Sequence, residues 1–238
     1  MSINRGNPQH QNILIMDYAT FFKIFITLHA VGGFISLISG TISVIARKGN
    51  VWHKKSGIIF YYGMLTAGIS GIVASLLPDH NNPFLFVVGL FSVYLVLSGY
   101  RALRFKSVRK MADLRWDKVI SWSMAIIGVG MLTYGGYLLY YGLTIGWVLL
   151  VFGTIGLLNA INDLRAMRDL KLLRKKHLRL HIAKISGAYI AAFTAFFVTN
   201  SVLPSLLSWL LPSVFGIIFI SYWMRKTRLG QKITTETV

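Results

Sequence analysis

Seven long apolar runs, separated by short polar segments, make up most of this chain. They cover approximately residues 19–46, 56–77, 84–103, 119–141, 145–161, 182–202 and 206–224. Several runs reach the length that a helix needs to cross about 30 Å of hydrocarbon. The pattern predicts an all-α membrane protein with seven transmembrane helices. A polar N-terminal segment (1–18) would precede the bundle (19–224), and a basic tail (225–238) would follow it.

The composition agrees with this class. The 238 residues are 55% hydrophobic and only 13% charged, and the mean hydropathy is +0.60, whereas a soluble domain carries roughly a quarter charged residues. The chain has no cysteine, which excludes disulfides, thiolate metal sites and iron–sulfur clusters. Paired carboxylates, HExxH, GxSxG and phosphate-loop motifs are also missing, so the sequence supports no catalytic assignment.

The net charge of +18 is concentrated between the apolar runs. The N-terminal side of the predicted topology holds Arg5, Lys23, Asp17 and Asp79, while the other side holds 23 of the 25 Lys and Arg and five of the seven acids. The positive-inside rule then predicts an N-terminus outside and a C-terminus in the cytoplasm. Anionic lipids at the cytoplasmic face are the expected partners. Nucleic acid is not, because no aromatic residues interleave the charges and no soluble module presents them.

Two features of the basic connections leave alternatives open. The segment 163–181 is either a cytoplasmic extension of the neighbouring spans or a helix lying on the membrane surface. Three successive units of helix, basic turn and return helix carry Trp52-His53, Trp116-Asp117 and Leu180-His181 at corresponding places. This arrangement follows either from an ancestral two-helix repeat or from the positive-inside rule acting on any hairpin array.

Small residues at four-residue spacing predict which helices pack closely, because association in lipid depends on close backbone approach. Such rows occur in spans one, two and six: Gly32, Ser36 and Gly40; Gly63, Ala67 and Gly71; Gly187, Ala191 and Ala195. We expect these three spans at the centre of the bundle. Spans three and seven, which are richer in Phe, Leu and Ile, are expected to face lipid. Whether the bundle forms an oligomer stays open.

His29 is the histidine that the sequence places deepest in the membrane. It precedes Arg47 by 18 residues, about 27 Å along a straight helix. An ionisable residue at that depth is a candidate site by default, here for a small-molecule binder or transporter. The structural alternative is a neutral imidazole bonded to a backbone carbonyl or to a residue such as Asn200 or Thr199.

His53 and His181 are expected at one depth, near the cytoplasmic ends of spans two and six. A bis-histidine haem b needs two imidazoles at one depth, so this pair is the candidate for an electron carrier. The alternative for His53 is a protonated imidazole that contacts lipid phosphate among lysines. His29 and His53 lie near opposite faces of the membrane and could not share a ligand.

Two stretches carry a resemblance to a known family. They are LHAVGG at 28–33, continued by RKG at 47–49, His53, Gly57 and Met64, and FSVYLVLSGYRAL at 91–103. Together they resemble the bacterial membrane family catalogued as domain of unknown function 2306. The resemblance covers residues 28–103 and implies an integral protein of a bacterial inner membrane. It brings no established reaction, and it implies that His29 and His53 are the positions to study first.

Overall fold

The computed structural model describes residues 8–202 and 204–236, with side chains described from residue 18 to 227 except at 203, 205 and 206. These residues form seven α-helices and no strand. The helices are α1 Pro8–Ile45, α2 Val51–Ser75, α3 Pro83–Arg101, α4 Arg115–Tyr140, α5 Ile145–Ala166, α6 Leu170–Thr199 and α7 Ser205–Glu236. Each contains a stretch long and apolar enough to cross a membrane. The prediction of a seven-helix multi-pass membrane protein is therefore confirmed at this level.

The helices extend beyond the predicted spans. Helix α1 already begins at Pro8, within the predicted polar segment, and α7 continues to Glu236 through most of the predicted tail. Helix α5 ends at Ala166, and α6 begins at Leu170 after Asp169, whose carboxylate accepts hydrogen bonds from the first-turn amides as an N-cap. The basic segment 170–181 is therefore continuous with the sixth span, so the helix-extension alternative is correct.

Consecutive helices run antiparallel, so the connections 46–50, 102–114 and 167–169 lie at one end of the bundle. Together with the first three turns of α6, they form what we call the basic end. The connection 102–114 consists mainly of two 3₁₀ helices, Ala102–Ser107 and Met111–Leu114. Phe105 and Leu114 from these turns are buried with Leu173 of α6 in a small apolar cluster. This cluster holds the long α3–α4 connection against the projecting part of α6.

Helix α3 occupies the centre of the bundle, which corrects the expectation that span three faces lipid. Half of the residues in its apolar window are buried, compared with 11% in α1 and in α7, so α1 does not occupy the centre where it was expected. It packs against α2, α4, α5 and α6. Its bulky side chains fill the space between these helices, with Phe91, Leu95 and Val96 almost fully buried. Bulk alone does not separate a lipid-facing helix from a core helix, because both environments are apolar.

Close helix contacts occur at small residues, as expected in lipid, but not in all three predicted rows. A methyl group at Gly32 of α1 would lie 3.0 Å from the Gly63 carbonyl oxygen of α2. The Ser36 hydroxyl is fully buried and donates to the Gly32 carbonyl. In contrast, a methyl group at Gly187 would lie 3.5 Å from the Leu95 side chain, which is an ordinary van der Waals distance. Helices α1 and α2 therefore pack closely, while the α6 row leaves more space.

The remaining predicted packing residues also differ in their surroundings. Gly40 lies against the Tyr189 ring, and Gly71 lies against the His29 imidazole. Ala67 is buried, whereas Ala191 and Ala195 are half-buried. Further close contacts, outside the predicted rows, join α4 to α5, where Gly128 meets Gly153 and Gly135 meets Gly146. Glycines on both helices of this hairpin allow the two backbones to come together.

Candidate functional site

A polar cluster lies inside the bundle near the basic end. Helix α3 contributes three of its residues. Tyr94, Ser98 and Arg101 follow each other at spacings of four and three residues, which places them on one helix face. Tyr94 and Ser98 are buried. The Ser98 hydroxyl donates to the Tyr94 carbonyl at 2.7 Å, which fixes the orientation of its oxygen as an acceptor. This face of α3 is therefore polar in an otherwise apolar helix.

Lys184 of α6 points its ammonium group at this face. The residue is 4% exposed, and its Nζ donates to the Ser98 hydroxyl at 3.0 Å, to the Tyr94 hydroxyl at 3.2 Å and to Asp163 Oδ2. A lysine ammonium has three N–H donors, and each has a partner here. The Nζ atom also lies 4.7 Å from the centre of the Tyr94 ring, within the distance of a cation–π contact.

Asp163 of α5 completes the buried ion pair. It is 5% exposed, and its Oδ2 atom also accepts hydrogen bonds from the Tyr94 hydroxyl at 2.8 Å and from the Ser121 hydroxyl of α4 at 3.3 Å. Burying a charge is costly unless it is paired and hydrogen-bonded. Here four helices contribute to satisfying one carboxylate and one ammonium.

A second ion pair lies beside the first, closer to the basic end. Arg101, the last residue of α3, donates from Nε to Asp117 Oδ1 at 2.7 Å and from Nη2 to Oδ2 at 2.8 Å. This is the two-point geometry in which a guanidinium binds a carboxylate most strongly. Asp117 lies in the first turn of α4, where the helix dipole also favours a negative charge. Its pairing with Arg101 was not predicted.

A small cavity separates the two ion pairs. Its volume is about 10 Å³, and its polar lining consists of Ser98, Asp117, Ser121, Asp163 and Lys184. A polar cavity of this size holds about one water molecule. The cluster therefore combines two acids, two bases, three hydroxyl groups and a water-sized space in an environment that is otherwise apolar.

His29, the first candidate from the sequence, lies outside this cluster. Its Nδ1 atom is 2.8 Å from the carbonyl oxygen of Ala67 on α2. Because a carbonyl oxygen can only accept, Nδ1 carries the proton in this contact. The residue is half-buried between α1 and α2, and this contact is the one that the structural alternative for His29 predicts.

His53 and His181 make similar contacts through Nδ1. For His53 the partner is the Ser43 carbonyl oxygen at 3.0 Å, and for His181 it is the Gly99 carbonyl oxygen at 2.9 Å. Such bonds leave Nε2 free to bind a metal, which is how ligating histidines are commonly oriented. However, neither residue lines the polar cavity or the larger groove between α6 and α7 described below. Among the side chains that the structure describes (18–202, 204 and 207–227), no three His, Asp or Glu are grouped so that they could hold a metal ion.

Sequence reasoning missed Lys184, Tyr94 and Arg101, although their signals were present. Lys184 lies three residues inside the predicted run 182–202, and a charge in such a position is itself a sign of a site. Tyr94 and Arg101 belong to the stretch 91–103 that carries the family resemblance. Asp117 and Asp163 lie at helix ends, where the sequence indicated no site for either. His181 is the candidate closest to the cluster, one helical turn before Lys184 and bonded to the backbone beside Ser98.

Comparisons with known proteins add no assignment. No family model, curated protein or solved structure matches this chain. The resemblance to domain of unknown function 2306 thus stays a prediction.

Proposed function

We propose that this chain is an integral protein of a bacterial inner membrane that couples proton binding to the passage of a small polar solute. The observation that carries this proposal is the ion pair between Lys184 and Asp163, two charges buried inside the helical bundle. Charges inside membrane helices are expensive and typically mark proton relays and solute pathways. The site proposed for this activity is the polar cluster, in place of His29.

The chemistry of the pair suits a proton. Moving one proton from Lys184 to Asp163 converts the ion pair into two neutral groups without changing the net charge of the site. The Tyr94 hydroxyl offers a second route, because it donates to Asp163 and accepts from Lys184. In an environment of low dielectric constant, burying two charges costs free energy, so the ion pair and the neutral pair become closer in free energy. A proton arriving from outside would leave one partner charged and unpaired, which favours a rearrangement of the helices.

The surroundings of the pair suit an occluded state. The adjoining cavity has room for about one water molecule, so a larger solute needs the helices to separate. The bidentate pair of Arg101 and Asp117 joins α3 to α4 between this cavity and the basic end. We propose that opening this outer pair admits protons and solute to the inner one, because hydrogen-bonded ion pairs between helices have discrete open and closed arrangements.

The proposed orientation puts the basic end in the cytoplasm and the N-terminus outside. Its support is the distribution of Lys and Arg in the sequence. In this orientation the polar cluster is approached from the cytoplasm, with anionic lipids around the basic end as partners. The two other candidate functions, solute binding at His29 and haem b between His53 and His181, have weaker support. Their imidazoles contact backbone carbonyl oxygens, and neither cavity is lined by a histidine.

The test is proton movement in vesicles that contain the purified protein and an enclosed pH-sensitive dye. With a membrane potential imposed, we expect the wild-type protein to acidify or alkalinise the interior faster than empty vesicles. Asp163→Asn and Lys184→Met should abolish this movement, while Lys54→Met, at an exposed lysine, should not. Equal movement in folded Asp163→Asn protein and in wild type would show that the pair only ties helices together.

A companion measurement addresses the site directly. Infrared difference spectra, recorded with and without an imposed proton gradient, should contain a carboxyl band that disappears in Asp163→Asn. If wild-type vesicles show no proton movement and no such band appears, the proposed function is wrong.

A further inference from the structure

A large apolar groove lies between α6 and α7, separate from the polar cluster. Its volume is about 650 Å³, within the usual range for small-molecule sites. Aromatic and aliphatic side chains dominate the lining: Tyr189, Phe193 and Phe197 from α6, and Leu211, Phe215 and Phe219 from α7. The Tyr189 hydroxyl already bonds the Thr41 hydroxyl at 2.6 Å. The interior therefore offers little to a polar ligand.

The groove has the length of one leaflet. On α7 its lining extends from Leu211 to Tyr222, about 16 Å along a helix. Half of the ~30 Å hydrocarbon layer is about 15 Å. Buried Pro212 lies at one end of this stretch, inside α7, where a proline removes a backbone hydrogen bond and bends the helix. Tyr222 marks the other end, which adjoins the basic end of the bundle.

Two lysines stand at that mouth of the groove. Lys48 Nζ lies 5.2 Å and Lys226 Nζ lies 5.0 Å from the centre of the same Trp223 ring. Lys48 is also 5.7 Å from the Phe219 ring, and Lys226 is 5.9 Å from the Tyr222 ring. Both of these rings line the groove. The apolar groove thus ends next to two ammonium groups.

These two charges have no counter-ion among the described residues. The acids of the basic end are already engaged: Asp117 with Arg101, Asp163 with Lys184, Asp113 with the Arg109 and Lys110 amides, and Asp169 as the N-cap of α6. Lys48 donates to the Ser43 and Val44 carbonyls, which leaves its third N–H group available to an anion. Partial burial lowers the pKa of Lys48, so an anion placed beside it would be favourable.

We infer that the groove binds an anionic phospholipid, with an acyl chain between α6 and α7 and the phosphate between Lys48 and Lys226. The apolar interior fits a hydrocarbon chain, the length fits one leaflet, and the unpaired positive charge lies at the headgroup end. This is a site for one bound lipid, distinct from general attraction of the bilayer to the basic end. It does not depend on the proposed proton coupling, because no residue of the polar cluster lines the groove.

The test measures which lipids stay bound to the purified protein. Protein in detergent is incubated with equal amounts of phosphatidylglycerol and phosphatidylcholine of identical acyl chains, and bound lipids are counted by native mass spectrometry. We expect one phosphatidylglycerol molecule to be retained in preference. In Lys48→Gln/Lys226→Gln protein the preference should fall roughly five-fold for each lysine removed, which corresponds to ~1 kcal/mol per charge.

Matched controls separate the site from total charge and from folding. Lys54→Gln/Lys55→Gln removes the same charge from exposed lysines of α2 and should keep the preference. Ser186→Leu adds a side chain to the groove lining and should reduce lipid retention, whereas Ser221→Leu, exposed on α7 outside the lining, should not. A second measurement needs only wild-type protein: phosphatidylglycerol brominated on its chains should quench tryptophan fluorescence more strongly than brominated phosphatidylcholine.

Several results would overturn the inference. One is equal retention and equal quenching by the two lipids, and another is an unchanged preference in the Lys48→Gln/Lys226→Gln protein. A dimer that dissociates in Ser186→Leu but not in Ser221→Leu protein would identify the occupant as a second copy of the chain. Retention of a neutral lipid-soluble molecule instead of phosphatidylglycerol would also exclude an anionic headgroup.

Discussion

Lys184 and Asp163 form a buried ion pair that joins α6 to α5. Each residue also bonds the Tyr94 hydroxyl of α3, so three helices meet at one pair of charges. Because both side chains are almost completely buried, neither charge can turn to water when its partner is removed. The stability of the bundle should therefore respond strongly to changes at these positions.

Removing one partner of this pair should destabilise the protein more than removing both. Lys184→Met or Asp163→Asn leaves a buried group without its partner, which costs about 3–5 kcal/mol in comparable sites. The double variant Lys184→Met/Asp163→Leu should recover most of that loss, because two apolar side chains need no partner. Unfolding free energies in mixed micelles provide the measurement. Single variants as stable as Lys54→Met protein would contradict the prediction.

The Tyr94 hydroxyl should contribute separately from the ring. Tyr94→Phe keeps the packing of α3 but removes the group that donates to Asp163 and accepts from Lys184. We expect a loss of about 1–3 kcal/mol, the usual cost of an unsatisfied buried hydrogen-bonding group, and slower proton movement in vesicles. Tyr134→Phe, at an exposed tyrosine, is the matched control. If both variants behave alike, Tyr94 acts only through its ring.

The outer ion pair should depend on the guanidinium shape as well as its charge. Arg101→Lys keeps the charge but cannot donate two parallel hydrogen bonds to Asp117. If this pair closes the site, the variant should move protons faster than wild type at the same membrane potential. Arg104→Lys, at an exposed arginine of the neighbouring turn, should not change the rate. An unchanged rate of proton movement in both variants would show that the Arg101–Asp117 pair does not close the site.

Two adjacent glycines of α1 should respond in opposite ways to alanine. A methyl group at Gly32 would lie 3.0 Å from the Gly63 carbonyl and 3.1 Å from the Ala67 amide nitrogen, whereas one at Gly33 meets no atom within 4 Å. Gly32→Ala should separate α1 from α2 and destabilise the bundle by about 1–3 kcal/mol. Gly33→Ala should be neutral or stabilising by up to about 1 kcal/mol, because alanine favours the helix. Equal unfolding free energies for the two variants would contradict this account of the contact.

Haem binding is tested by the visible spectrum of the purified protein. Because neither cavity is lined by His53 or His181, we expect no Soret band even after expression with added haem precursor. A Soret band that disappears in both His53→Ala and His181→Ala proteins would establish the haem alternative and require the helices to separate around these residues.

The sequence predicted the helices well and the site poorly, for physical reasons. Seven spans follow from hydropathy because each helix satisfies its own backbone within the membrane. The polar cluster depends instead on contacts between residues 69 to 90 positions apart, Tyr94 with Asp163 and with Lys184. No local pattern records such contacts. Asp163 and Lys184 each lie near the end of an apolar run, where charges are also expected for topology alone.

The histidine candidates also depend on contacts that no local pattern records. Their positions in the sequence suggested chemistry, but their Nδ1 atoms contact carbonyl oxygens of neighbouring helices. In the sequence, a histidine and a lysine within a membrane helix are equally candidates for a functional site. Only the positions of their partners in the structure distinguish the two cases.

The central position of α3 has a consequence for the order of synthesis. Tyr94 and Ser98 enter the membrane well before Lys184, which is translated 86 to 90 residues later. At about 5–20 residues per second this interval lasts roughly 5–20 s. During that time the polar face of α3 has no ammonium group to bind. Asp163 of α5 is also made before Lys184, its ion-pair partner on α6. The polar cluster is therefore complete only after the sixth helix has been made, although its first members belong to the third.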